Sequence, residues 1–167
     1  MNRREILLGG SAVVALGAVA LTLRQGPGPA IAADTTKYEV ALSDAEWKAK
    51  LSPAAYDVLR QQGTEAPFTS DLLNEHRAGT FSCAGCDLAL FDSKTKFDSG
   101  TGWPSFYDAL PNAVLKSVDN TLGMTRTEVH CRRCGGHLGH LFDDGPAPTG
   151  LRYCMDGVAL KFTPAKA

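Results

Sequence analysis

Two or three short helices followed by an antiparallel β domain, a mainly β (α+β) chain, is the fold class the sequence predicts. Three observations carry it. Helix-start signals crowd into residues 43–63. From Gly79 onward, short runs of β-forming residues alternate with Gly, Asp and Pro turns. Two C-x-x-C pairs stand within that β region and set up a metal clip between distant loops.

The first 32 of the 167 residues read as an export signal and not as part of the domain. Arg3 and Arg4 precede an uncharged run at 6–23, rich in Gly, Ala, Val and Leu. Arg24, a Gly/Pro-rich piece at 26–29 and the small residues Ala32 and Ala33 follow. A positive start, an apolar run and a small-x-small site predict a cleaved signal, and adjacent arginines point to the twin-arginine route into the periplasm. An uncleaved anchor is the alternative, since the run is just long enough to reach across a bilayer. The glycines and the alanine site favour cleavage, which leaves the membrane involved through the signal alone. The signal holds three of the 17 basic and one of the 18 acidic residues, so the remainder is net −3. That balance offers no electrostatic footprint for nucleic acid.

Residues 33–42 read as a leader. Ser43-Asp44-Ala45-Glu46 then has capping-box spacing, in which the serine hydroxyl meets the N3 amide and the glutamate reaches back. This predicts a short helix through Leu51. Ser52-Pro53 restarts a helix, with Ser as cap and Pro at its first position, running through Tyr56 and Leu59 to a stop at Gly63. A weaker helical turn is expected around residues 70–75. The expected strand segments are 79–82, 88–91, 113–118, 124–130 and 158–162.

Cys83-Ala84-Gly85-Cys86 and Cys131-Arg132-Arg133-Cys134 each let one tight turn aim two thiolates at a common point. Two such turns complete a closed tetrahedral site, which predicts one structural Zn2+ held by Cys83, Cys86, Cys131 and Cys134. Two disulfides or a dithiol redox motif are the alternatives. A disulfide within C-x-x-C closes a strained ring, and redox motifs of this kind rarely come twice. With four sulfurs committed, Cys154 stands alone.

A lone cysteine by itself reads as a buried core thiol. Its neighbours argue for reactivity. Arg152 lies two residues earlier, so on a strand both side chains share a face, and a guanidinium favours the thiolate. His137 and His140 supply imidazoles that hold protons near neutral pH, although His-x-x-His also suits a metal pair or a plain core. The stretch from Phe97 to Phe106 packs glycines with Trp103 and Phe106, fit either for a small apolar ligand or for a tight turn.

Taken together, these motifs resemble the B-type methionine-R-sulfoxide reductases. The resemblance runs from about residue 43 to 162, within an expected domain at 43–164. It rests on Gly63-Thr64-Glu65-Ala66-Pro67-Phe68, both C-x-x-C pairs, 96–106, Arg126-Thr127-Glu128-Val129, His137-Leu138-Gly139-His140, Phe142-Asp143-Asp144-Gly145-Pro146 and Gly150-Leu151-Arg152-Tyr153-Cys154. It implies a barrel-like pair of antiparallel sheets. It also implies that Cys154 attacks the sulfur of oxidised methionine in a peptide or protein and becomes a sulfenic acid. His137 and His140 match the site histidines, Trp103 the residue against the substrate methyl group, and Phe142 a second wall. Arg152 would help hold the thiolate.

Two departures stand out. Thr101 occupies a position where many members carry a second, resolving cysteine. This implies a one-cysteine cycle closed by an external, thioredoxin-like reductant, with the protein expected as a monomer. Asp156 stands where the family usually has Asn, and a carboxylate there is expected to raise the thiol pKa. The competing readings are a non-catalytic zinc-clip interaction domain and a thiol–disulfide oxidoreductase.

Overall fold

The computed structural model describes residues 38–166. Residues 1–37, on which the expected export signal and the start of the expected leader fall, and Ala167 lie outside them. The described residues form one compact unit, and among them no helix is long and apolar enough to cross a membrane.

The helices begin where their caps dictate. Helix α1 (Asp44–Lys50) opens on a reciprocal capping box: the Glu46 amide donates to the Ser43 hydroxyl, and the Ser43 amide donates to the Glu46 carboxylate. Helix α2 (Pro53–Gln61) is capped by Ser52, whose hydroxyl accepts from the Ala55 amide. It closes one residue ahead of Gly63, because Gln62 itself turns left-handed at φ 56°. Around 70–75 the chain makes a 3-10 turn, Asp71–Asn74, capped by the Ser70 hydroxyl.

Among the described residues nine strands follow: β1 (Gly79–Cys83), β2 (Ala89–Asp92), β3 (Lys96–Phe97), β4 (Ser105–Phe106), β5 (Val114–Asp119), β6 (Arg126–Cys131), β7 (His137–Phe142), β8 (Arg152–Met155) and β9 (Leu160–Pro164). They build two antiparallel sheets, ordered β2-β1-β9 and β3-β4-β8-β7-β6-β5. The expected strand at 158–162 starts late. Gly157–Ala159 is a 3-10 turn, because the amides of Gly157 and Val158 donate to the Glu65 carboxylate and not to a strand.

Aromatic residues join the sheets. Phe81 and Phe91, from β1 and β2, meet Phe106 and Tyr153, from β4 and β8. Phe91 stacks on Phe106 with ring centroids 4.3 Å apart, and Phe81 meets Phe106 edge-on at 4.9 Å. The three phenylalanines are fully buried, each contributing roughly 1.5–3 kcal/mol. Helix α2 lies on β7 and on the 157–159 turn, with Leu59 packed against Gly136 at the start of β7.

The segment at 38–42 is tied to the second cysteine turn. The Val40 amide donates to the Arg133 carbonyl at 3.0 Å. Glu39 pairs with Arg132 and Arg133, and the Tyr38 ring lies edge-on to His130.

Candidate active site and metal centre

The two C-x-x-C turns are built alike. In each, the first cysteine's amide donates to the carbonyl five residues on: Cys83 to Leu88 and Cys131 to Gly136, both at 2.8 Å. The residue four on donates back to that cysteine's carbonyl, and it is left-handed in both turns: Asp87 at φ 60° and Gly135 at φ 69°. Gly85, inside the first turn, lies beside the Trp47 indole and the sulfurs of Cys83 and Cys134.

The four sulfurs converge. Cys83 and Cys134 lie 3.7 Å apart, Cys86 and Cys131 lie 3.5 Å apart, and all four fall within 4.8 Å of one another. A tetrahedron of Zn–S bonds of about 2.3 Å spaces its sulfurs by about 3.8 Å, so donor type and spacing both fit one zinc ion. Four buried thiolates this close repel one another, and a bound dication removes that conflict. Cys83 ends β1 of the small sheet and Cys131 ends β6 of the large one, so the metal clips the two sheets together.

Cys154 lies on β8 at the centre of the large sheet. It pairs with Ser105 on β4 and with His140 on β7, and His140 pairs in turn with Glu128 on β6. Residues opposite one another in an antiparallel ladder share a face. Ser105, Cys154, His140 and Glu128 therefore form one row. Gly139 lets β7 and β8 come this close: at φ 144°, it sits against the Cys154 carbonyl with no room for a side chain.

A cavity of about 130 Å³ opens beside the sulfur, lined by Trp103, His140, Phe142, Cys154 and Asp156, with Thr64, Arg126 and Gly139. Five of the seven site residues expected from sequence thus share one cavity. The Trp103 indole is fixed by donating its Nε1 hydrogen to the Glu65 carbonyl at 3.1 Å. Phe142 carries the Arg152 guanidinium on its ring, 4.3 Å from the centroid.

Arg152 and His137 are the two that stand behind the cavity. Arg152 binds the Asp144 carboxylate through two bonds of 2.8 Å, and its charge still favours ionisation of Cys154. His137 gives Nδ1 to Glu128 at 2.8 Å and lines the adjoining groove. Three residues apart on a strand, the two histidines should face opposite ways. A bulge opposite Val129 and His130 gives β7 one extra residue, which returns His137 to the same side, with the two rings 5.4 Å apart.

Electrostatics divide the site. Burial pushes the Cys154 thiol up; Thr101 and Ser105 hydroxyls and the Arg152 charge pull it down, while Asp156 pushes it up again. Burial also lowers the His140 pKa, opposed by its 2.8 Å contact with Asp119. Asp156 is 3% exposed. Its carboxyl is pushed up to about 6 by burial, against a 2.8 Å hydrogen bond from the Glu65 amide. The hydrogen bond from His137 holds Glu128 down at about 2.

Sequence reasoning assigned no role to Glu65, Asp119 or Glu128. Glu65 holds the Trp103 loop, Asp156 and the 157–159 turn at once. Asp119 and Glu128 orient the histidines. Glu65 and Glu128 lay inside motifs already noted, but only the fold supplies their partners.

A four-sulfur clip between two antiparallel sheets, with a separate thiol facing imidazole and indole across a small cavity, defines a class: zinc-clipped β proteins with a thiol site. The chain belongs to the SelR domain family, whose pattern matches residues 51–164. It is similar to "Peptide methionine sulfoxide reductase MsrB" of Leifsonia xyli subsp. xyli, 56% identical over 130 residues, covering 77% of this chain and 94% of that protein. The protein of the same name from Agrobacterium fabrum is 52% identical over 132 residues, covering 78% and 98%. That from Leptospira interrogans is 53% identical over 126 residues, covering 75% and 96%.

Proposed function

We propose that the protein reduces methionine-R-sulfoxide in peptides and proteins to methionine, an oxidative-repair activity. The observation that carries this is the row of Ser105, Cys154 and His140 opening on the cavity walled by Trp103 and Phe142. The names of the similar proteins support the substrate, and the R preference follows from the family resemblance.

The Cys154 thiolate attacks the sulfoxide sulfur, which the indole and the Phe142 ring flank through its methyl group. His140 protonates the sulfoxide oxygen, the S–O bond breaks, and the oxygen passes to the Cys154 sulfur as the transient S–S bond breaks and methionine leaves. The products are methionine and the cysteine sulfenic acid: the cysteine sulfur loses two electrons and the substrate sulfur gains them. An external thiol then attacks the sulfenic sulfur, water leaves, and a mixed disulfide forms. A second thiol releases Cys154 as the thiol. Among the described residues the other four cysteines are buried in the clip, which favours an outside reductant of thioredoxin type. Arg152 acts through charge and Asp156 sets the thiol pKa. Zinc fixes the fold and takes no part in the chemistry.

The test is reduction of R- and S-sulfoxides by the wild type and by Cys154→Ser, with dithiothreitol as reductant. The reading requires activity on R, none on S, and none in the serine variant. Activity surviving that change would overturn it. The non-catalytic clip reading leaves the cavity row unexplained. The thiol–disulfide reading requires a free C-x-x-C pair, and both pairs point into the clip.

The amino-terminal segment supports export by the twin-arginine route, with the enzyme acting in the periplasm. Replacing Arg3 and Arg4 by lysine is expected to retain the protein in the cytoplasm, read by fractionation. Unchanged export would contradict this.

A further inference from the structure

Behind Cys154 runs a chain of hydroxyls. The sulfur lies 3.8 Å from Thr101 Oγ1, Thr101 Oγ1 lies 2.8 Å from Ser99 Oγ, and Ser99 Oγ lies 2.7 Å from Ser105 Oγ. Ser105 then donates to the Trp103 carbonyl at 3.2 Å. The row has a direction. A carbonyl only accepts, so while Cys154 is a thiol the single proton of Ser105 goes to it. Ser105 can then only accept from Ser99, and Ser99 in turn accepts from Thr101. Thr101 Oγ1 is left presenting a lone pair to Cys154, the arrangement that suits a thiol donor.

Ionisation reverses the near end. A thiolate accepts, so Thr101 turns its proton to the sulfur, Ser99 donates to Thr101 Oγ1, and Ser105 turns from the Trp103 carbonyl to donate to Ser99. Each hydroxyl keeps a partner in both arrangements. No charged group moves and no water is needed. A sulfenic acid both donates and accepts, and Thr101 can serve it in either sense. Chains of this kind strengthen their terminal bond cooperatively, and hydrogen bonds to a charged acceptor are the stronger ones.

We infer that Thr101, backed by Ser99 and Ser105, forms a reversible hydroxyl relay that stabilises the Cys154 thiolate in its buried setting. Thr101 contacts the reacting sulfur; Ser99 acts only through it and is a positioning residue. The inference rests on the proposal that Cys154 is the nucleophile, and it gives Thr101 a role of its own in a chain without a second thiol at that place.

The measurement is the pH dependence of Cys154 alkylation in the full-length, zinc-loaded protein, followed by mass spectrometry of the Cys154 peptide. The other charged groups around the sulfur are Arg152 and Asp156 on its own strand segment, His140 and His137 on β7, and Arg126 in the cavity wall. All stay unchanged in the variants. Thr101→Val is expected to raise the apparent thiol pKa by about one unit, making alkylation about tenfold slower below it. Ser99→Ala is expected to shift it less and in the same direction, and Thr101→Ser to leave it at the wild-type value. An unshifted Thr101→Val would overturn the relay. So would a Thr101→Ser shift as large as that of valine, because it would mark a packing effect. Ser99→Ala does not touch the sulfur, so it keeps the test decisive if valine disturbs the loop. Wild-type reduction of the R-sulfoxide, read in parallel, judges the reductase reading alone, so the two can fail separately.

Discussion

Asp156 is the residue where local chemistry and stability pull apart. Its buried carboxyl keeps its proton up to about 6, above its ordinary value of 3.8. Its contribution to stability is therefore fully present below about pH 4 and lost as pH rises through about 6. Asparagine can accept the same bond from the Glu65 amide without the charge. Asp156→Asn is expected to gain on the order of 2–3 kcal/mol at pH 8, shrinking toward nothing at pH 4. Denaturant unfolding at both values checks it, and an equal effect at both would contradict it. In the same variant the rising limb of the pH–rate profile should move to lower pH, because the carboxylate no longer opposes the thiolate. The histidines give a second expectation. His140 lines the cavity and His137 does not, so His140→Asn should slow turnover by about 10²–10⁴-fold, with a smaller effect for His137→Asn. Single-turnover rates decide, and the reverse order would reassign the acid.

At the scale of elements, the site depends on how β7 lies between β6 and β8. The bulge at Val129 and His130 brings both histidines to one side, and Gly139 lets Cys154 and His140 stand opposite each other. Gly139→Ala adds a side chain in a conformation that disfavours one and drives it into the β8 backbone. It is expected to destabilise by several kcal/mol or to abolish folding, read as a lost or lowered thermal transition; wild-type stability would show that β7 and β8 can separate cheaply. None of this was legible in the sequence. The helix caps were, because Ser43-x-x-Glu46 and Ser52-Pro53 act through bonds within four residues. The residues of the cavity were legible too, through ordered motifs. Their register was not, since it is set by partners far along the chain. The same holds for the late start of β9: it is decided by Glu65, more than ninety residues earlier.

For the whole molecule the four cysteines matter most. They join the small sheet at Cys83 and Cys86 to the large one at Cys131 and Cys134, and β7 with its histidines starts three residues after Cys134. Structural zinc contributes about 10–16 kcal/mol in small domains, comparable with the whole stability of a domain this size. Full removal of the metal by a strong chelator is expected to lower Tm by more than about 20 °C and to stop turnover, followed by calorimetry alongside metal content. An unchanged transition after complete loss would show that the aromatic core alone holds the sheets together. The central claim, that Cys154 takes the oxygen from an R-sulfoxide and holds it until an outside thiol arrives, is tested most directly by one turnover without reductant. Mass spectrometry of the protein after one equivalent of R-sulfoxide should find one added oxygen on Cys154, trappable by dimedone, and one equivalent of methionine. An intramolecular disulfide at Cys154, or methionine formed with Cys154 unmodified, would contradict the account.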